Sequence, residues 1–199
     1  MEQVWYFIRH GTPQVTGCLL GATDVPLSDL GWQQLSEAVA HFKNIDNVVS
    51  SPLKRCKAFA EHMCAHRNAS LKVDAQLQEM NFGDWDGQPY ELLWQQTSTP
   101  TIGQFWQSPN IYAPPNGESL QQFQTRIIQW WTKQLGNNRC RSNMVFTHAG
   151  VIKQLIGHIL CLESSNMQAF NALDIGYGKV VSVHVYYDEQ DKAWPKVVF

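Results

Sequence analysis

Val4-Trp5-Tyr6-Phe7-Ile8-Arg9-His10-Gly11-Thr12 is the stretch on which the fold turns. Five β-branched or aromatic residues in a row read as a buried strand. Arginine, histidine and glycine follow with no spacer, so a cation and an imidazole stand where strand becomes loop. In open α/β sheets ligands collect there, outside the carboxyl ends of the strands. Histidine can act as a nucleophile, and arginine offers a planar fork of donors matched to phosphate oxygens. Gly11 lets the backbone approach a ligand closely. Taken alone, the tripeptide fits an ordinary strand end equally well; the rest of the chain decides.

Outward from this strand, the loop from Gly11 to Leu27 is rich in Gly, Thr and Pro. Ser28 is placed to cap a helix that carries Trp32, Leu35, Val39 and Phe42 at helical spacing. Val48-Val49 reads as a second strand. Ser51-Pro52 then reads as a helix start, a cap followed by proline in the first position. Leu71-Lys72-Val73 is a third, short strand. Residues 74–118 loosen into a long excursion that holds Trp85, Tyr90, Trp94, Phe105, Trp106 and Tyr112 and is broken by five prolines, with short helices expected near Tyr90–Gln95 and Ile102–Trp106. An excursion of that length is usually functional. Ser119 caps a further amphipathic helix that includes Phe123, Ile127, Trp130, Trp131 and Leu135. Met144-Val145-Phe146 is a buried strand ending at Thr147-His148-Ala149-Gly150, and Val151–Leu160 is an apolar helix. Val181, Val183 and Val185 alternate with polar residues, Asp188–Asp191 is a turn, and Lys196–Phe199 closes a hairpin. Strands alternating with helices predict a three-layer α/β fold, a mostly parallel sheet with helices on both faces and one antiparallel edge region. The expected organisation is a single domain, 1–199, with 74–118 as a lid.

Composition narrows the function. The 199 residues are 44% apolar and 16% charged, which suits one globular unit with a sizeable core. A formal net charge of −2 gives no reason to expect nucleic acid or an anionic membrane as partner. Five cysteines at irregular spacings, without CxxC, read as a reduced, cytoplasmic chain. No run approaches the length of a membrane span, and the N-terminus lacks the pattern of a signal peptide. The seven histidines form no HxH, HExxH or finger spacing, so no metal and no cofactor is expected. Nothing in the sequence sets an oligomeric state.

Polar residues now recur at strand ends. Arg9-His10 follows the first strand, Ser50-Ser51-Pro52-Leu53-Lys54-Arg55 the second, and Thr147-His148 the late strand, just before a helix N-terminus. If these strands are parallel neighbours, two arginines, two histidines and a helix end converge on one pocket. Helix N-termini favour anions through their free N–H groups and dipole, and a phosphate is the obvious guest.

Five motifs in order resemble the histidine phosphatase superfamily, of phosphoglycerate-mutase-like fold. They are Arg9-His10-Gly11, Ser51-Pro52-Leu53-Lys54-Arg55, Leu77-Gln78-Glu79 leading to Phe82-Gly83-Asp84-Trp85-Asp86-Gly87, Asn116-Gly117-Glu118-Ser119, and Thr147-His148. The resemblance implies that His10 is the nucleophile, phosphorylated in turnover, that Arg9, Arg55 and His148 hold the phosphate, and that Glu79 is the proton donor. Asp84 and Asp86 are the next carboxylates for that role. Thr16 stands where the family often has asparagine as a phosphate contact, and Thr12-Pro13 replaces the usual acidic residue and hydroxyl after the glycine.

Within the family, Gly21-Ala22-Thr23-Asp24-Val25-Pro26-Leu27-Ser28 and Phe82–Gly87 resemble the α-ribazole phosphatase branch. That branch removes the 5′-phosphate of α-ribazole phosphate in cobalamin nucleotide-loop assembly. The phosphoglycerate mutase branch fits less well, because residues 74–118 contain no Lys or Arg to pair with a substrate carboxylate. The excursion therefore reads as a cap for a neutral or aromatic leaving group. The resemblance thus implies a small-molecule phosphate monoester as partner. Alternatives are a broad-specificity phosphatase, a mutase-type phosphotransferase, and a phospho-ligand binding module that does no chemistry.

Overall fold

The computed structural model describes residues 2–137, 140–163, 170 and 172–198. Strands β1 (Glu2–Arg9), β2 (Asn47–Ser50), β3 (Leu71–Val73), β4 (Ser142–Thr147), β5 (Val180–Tyr187) and β6 (Ala193–Val198) form one sheet in the order β3-β2-β4-β1-β5-β6. The first four in that order run parallel, while β5 is antiparallel to β1 and β6 to β5. The mixed α/β sheet expected from the sequence is therefore present, with its antiparallel region at one edge.

Helices cover both faces, which is why β1 is an unbroken apolar run rather than an alternating one. Ile8, Met144 and Phe146 pack against Leu35 and Val39 of α1 (Asp29–Val39) and Phe59 and Met63 of α2 (Lys54–Arg67). On the other face Trp5, Phe7 and Val145 pack against α5 (Leu120–Asn137) and α6 (Ala149–Ile159). Trp5 meets the rings of Trp130 and Trp131 edge-on, at 6.0 and 5.3 Å between centroids. Helices α3 (Tyr90–Gln95) and α4 (Ile102–Gln107) lie in the excursion, and Leu77, Phe82, Trp85, Leu93, Ile102 and Phe105 join this second cluster. The 74–118 segment is thus packed into the core by its own aromatics.

Three starts differ from expectation. Helix α2 begins at Lys54, two residues after Pro52, and its N-cap, Leu53, offers no side-chain bond. The cap comes from far away: Asp24 Oδ1 accepts from Lys54 N at 2.6 Å. The Ser51 Oγ accepts only at 3.4 Å from Leu53 N and lies closer, at 2.8 Å, to His148 Nε2. Strand β6 begins at Ala193 rather than Lys196, because Asp188 organises the turn by accepting from Gln190 N, Lys192 N and the Trp194 indole. Pro195 is tolerated since β6 is an edge strand; Phe199, expected to end it, lies outside the described residues. Finally, α6 starts at Ala149, so the dipeptide after β4 opens the helix directly.

Candidate active site

Register explains why the site exists. Arg9 pairs with Thr147, and Ser50 with Phe146, so the carboxyl ends of β1, β4 and β2 lie level along one edge. His10, Ser51 and His148 each follow one of these ends. His10 N donates to Thr147 O at 3.0 Å, and Ser51 N to Phe146 O at 2.9 Å, which ties the three turns together.

His10 is buried, with its ring 5.2 Å from that of His148. Its Nδ1 stands 2.8 Å from the carbonyl oxygen of Gly11. A carbonyl only accepts, so Nδ1 carries the proton and Nε2 holds the lone pair. Burial, then the charge of Arg55 and, more weakly, Arg9, push the imidazole down to a pKa of about 3. A neutral ring with a free Nε2 is the form a nucleophile requires. Gly11 itself serves a different close approach from the one expected. A Cβ there would lie 2.1 Å from the carbonyl oxygen of Gly31, so glycine lets α1 seat against the turn.

The two arginines flank this ring. Arg55 is fully buried and donates to the carbonyl oxygens of Thr23 and Gly21, both at 2.7 Å. Arg9 donates to Ile175 O at 2.6 Å and lies 3.9 Å under the ring of Tyr177. The Nε of each guanidinium is buried with no hydrogen-bond partner among the described residues. Two guanidiniums beside one imidazole favour an anion with several oxygens there.

His148 is the N-cap of α6. Its Nε2 lies 2.8 Å from Ser51 Oγ and 3.6 Å from Cys56 Sγ. Burial, Arg55 and His10 hold it well below the usual histidine range. These residues therefore give two guanidiniums and two neutral imidazoles; a charged His148 would require an anion beside it.

Glu79 reaches the same helix end. Its Oε2 accepts from Gly150 N at 3.0 Å and its Oε1 from Met80 N at 3.2 Å. A side chain at 150 would put a Cβ 2.2 Å from Glu79 Oε1, so Gly150 makes room for the carboxylate. Thus Arg9, His10, Arg55, Glu79 and His148 are brought to one place. Thr16 is exposed on the loop after β1. Asp86 is occupied elsewhere, accepting from the backbone N–H of Gly21, Ala22, Thr23 and Phe82 at 3.1, 2.6, 2.8 and 3.1 Å. Asp84 pairs with the Asn116 amide at 2.9 Å.

Beyond Glu79 a cavity of about 220 Å³ opens between α6 and the excursion, lined by Phe82, Phe105, Trp106, Phe123 and Lys153 among others. Lys153 is half-buried, and burial lowers its pKa while Asp174 draws it up. The excursion has no cation, but α6 brings this one in from behind. The Tyr177 ring lies 5.6 Å from that of His10; the Tyr90 phenol is pushed up by burial and by Tyr177, within electrostatic reach of Arg9 and Glu79. Sequence reasoning missed Ser51 as a partner of His148, and also Tyr177, Lys153 and Arg126, which binds the Glu79 backbone. Only the helical spacing of Gly150 and Lys153 carried a signal for any of these.

A parallel sheet edge that gathers two guanidiniums, two imidazoles and a carboxylate around a helix N-terminus defines an enzyme that handles phosphoryl groups. The chain belongs to the histidine phosphatase superfamily, branch 1, whose sequence model matches residues 5–194, and it is a phosphatase. It is 26% identical over 184 residues to the adenosylcobalamin/alpha-ribazole phosphatase of Escherichia coli K12, covering 90% of this chain and 89% of that one. The crystal structure of a putative alpha-ribazole-5′-P phosphatase from E. coli K-12 superposes with a TM-score of 0.83 at 23% identity, over 98% of this chain and 95% of that one. A mycobacterial glucosyl-3-phosphoglycerate phosphatase gives 0.83 at 21% identity, over 99% and 97%. At these identities the structural matches establish the phosphoglycerate-mutase-like fold. No helix among the described residues is long and apolar enough to cross a membrane.

Proposed function

We propose that this chain hydrolyses phosphate monoesters through a phosphohistidine on His10, and that α-ribazole 5′-phosphate is its substrate. The observation that carries the reading is His10, its Nδ1 held by the Gly11 carbonyl so that Nε2 keeps the lone pair, with the charges of Arg55 and Arg9 acting on the ring. Phosphoryl transfer asks mainly for positioning and for charge opposite the equatorial oxygens. His10 Nε2 attacks phosphorus, the bond to the leaving oxygen breaks, and Glu79 gives that oxygen a proton. Water then attacks the phosphorus of phosphohistidine, with Glu79 taking its proton, and His10 is restored. Arg9, Arg55 and His148 bind the phosphate, with Thr16, exposed on the loop after β1, as the further expected contact.

The leaving group takes the cavity beyond Glu79, with residues 74–118 as its cap and 1–199 working as one unit. Aromatic walls suit a planar base such as that of α-ribazole, and the E. coli relative carries that activity in its name. One observation favours a second reading. Lys153 in the cavity wall would pair with a carboxylate or other acceptor on the leaving group, which would make a small acidic monoester the better substrate.

Turnover of α-ribazole 5′-phosphate, ribose 5-phosphate, phosphoserine and 3-phosphoglycerate, each without a bisphosphate primer, tests this. Release of inorganic phosphate with the highest kcat/KM for α-ribazole 5′-phosphate is expected. Preference for the carboxylate-bearing esters, abolished by Lys153→Met, selects the second reading. Equal turnover of all four defines a broad-specificity phosphatase.

A further inference from the structure

Glu79 stands on neither helix nor strand. It lies between the short 3-10 turns Ala75–Leu77 and Gly83–Trp85, and a proton donor there needs outside support to hold its geometry. Arg126, on α5, supplies it. Nη1 donates to the carbonyl oxygens of Gln76 and Gln78 at 2.7 and 2.8 Å, and Nη2 to that of Glu79 at 3.0 Å. The remaining two N–H groups hold Glu118, Nε to Oε1 at 2.8 Å and Nη2 to Oε2 at 3.0 Å. All five guanidinium N–H groups are therefore used. Glu118 then grips the far side of the same segment, accepting from Asn81 N at 3.3 Å and donating its own N–H to Asn81 O at 2.8 Å. Backbone on both sides of Glu79 is thus bound to one ion pair, and that pair is mostly buried.

We propose that Arg126, locked by Glu118, is the positioning residue for the Glu79 carboxyl, and that it sets how strongly the rate depends on the leaving group. The inference rests on the acid role of Glu79 proposed above. A lysine cannot replace the arginine, because a single ammonium has three donors at one point and cannot span three carbonyls and a carboxylate. A misplacement of about 1 Å can cost roughly 10²-fold in a positioned reaction. It would be felt only where a proton is needed.

Single-turnover phosphorylation of His10 is the measurement, with ribose 5-phosphate as poor leaving group and p-nitrophenyl phosphate as good one. Arg126→Lys should slow the ribose ester by about 10- to 100-fold and leave the aryl ester near its original rate. Glu118→Gln, which keeps shape and most hydrogen bonds, should show the same selectivity in weaker form and guards against loss of folding in the first variant. In a Glu79→Gln background, Arg126→Lys should add no further loss, since the group it positions is gone. Equal slowing of both esters, or losses that add to those of Glu79→Gln, would overturn the proposal and leave Arg126 a structural residue. If Glu79→Gln alone slows both esters equally, the acid role fails and the proposal falls with it. If that variant is selective and Arg126→Lys is not, only the proposal falls.

Discussion

At the scale of single residues, an imidazole pushed to a pKa of about 3 stays neutral wherever the protein is folded near physiological pH, as the nucleophile proposed for His10 requires. The same shift has a consequence for stability. In the unfolded chain His10 titrates at its ordinary value of 6.5, so between about 3 and 6.5 the unfolded state holds more protons than the native one. Stability contributed by the neutral ring is complete above pH 6.5 and is lost as pH falls below it, by up to about 1.4 kcal/mol per pH unit. His148 is shifted the same way by burial and adds to the slope. The melting temperature should therefore fall between pH 7.5 and 5.5, and His148→Gln should fall less steeply than the parent. Parallel curves would mean that His148 is already charged in the native site. From sequence, His10 and His148 were legible because each ends a strand. The partner of His10 was not: it is a backbone carbonyl one residue on, which no side-chain pattern encodes.

Elements position these residues from a distance, and here the sequence was less transparent. The helix after β2 was expected to cap itself with Ser51; Asp24 does so instead, from a loop thirty residues earlier. That same loop is held from two sides. Asp86 takes the N–H groups of residues 21–23, and Arg55 gives to the carbonyls of Gly21 and Thr23. The excursion thereby braces Arg55, the arginine proposed to bind the phosphate. Hydrogen bonds to a charged acceptor contribute about 1.5–3 kcal/mol each. Asp86→Ala should lower stability by several kcal/mol on that basis, measured by denaturant titration, and weaken protection of the fold by inorganic phosphate. The milder Asp86→Asn should slow sugar and aryl phosphates alike. Selective loss with the sugar ester would give Asp86 the acid role. Short helices were expected near 90–95 and 102–106, and α3 and α4 stand there. Neither the Arg55 nor the Arg126 contacts were readable, since both join segments more than thirty residues apart through main-chain oxygens.

For the molecule as a whole, the apolar run of β1 and the alternation of strands with helices were enough to reach the architecture. Helices pack on both sides of the sheet, so β1 reads as an apolar run, and β5 is the strand that reads with period two. Strand order was beyond local pattern, because β4 inserts between β1 and β2 through contacts more than ninety residues apart. That insertion is what makes the site. Had β1 and β2 been adjacent, Ser51 would have had no His148 to meet. Lys153 entered the cavity for the same kind of reason, carried by the helix that follows β4.

The central claim is that these strand ends converge to make His10 a phosphoryl acceptor. Rapid quench of the protein with ³²P-labelled substrate tests it most directly. The expected result is a phosphoenzyme, stable in base and labile in acid, that maps to His10 and vanishes together with turnover in His10→Ala. Label that survives in His10→Ala, or turnover that continues without it, would contradict the account.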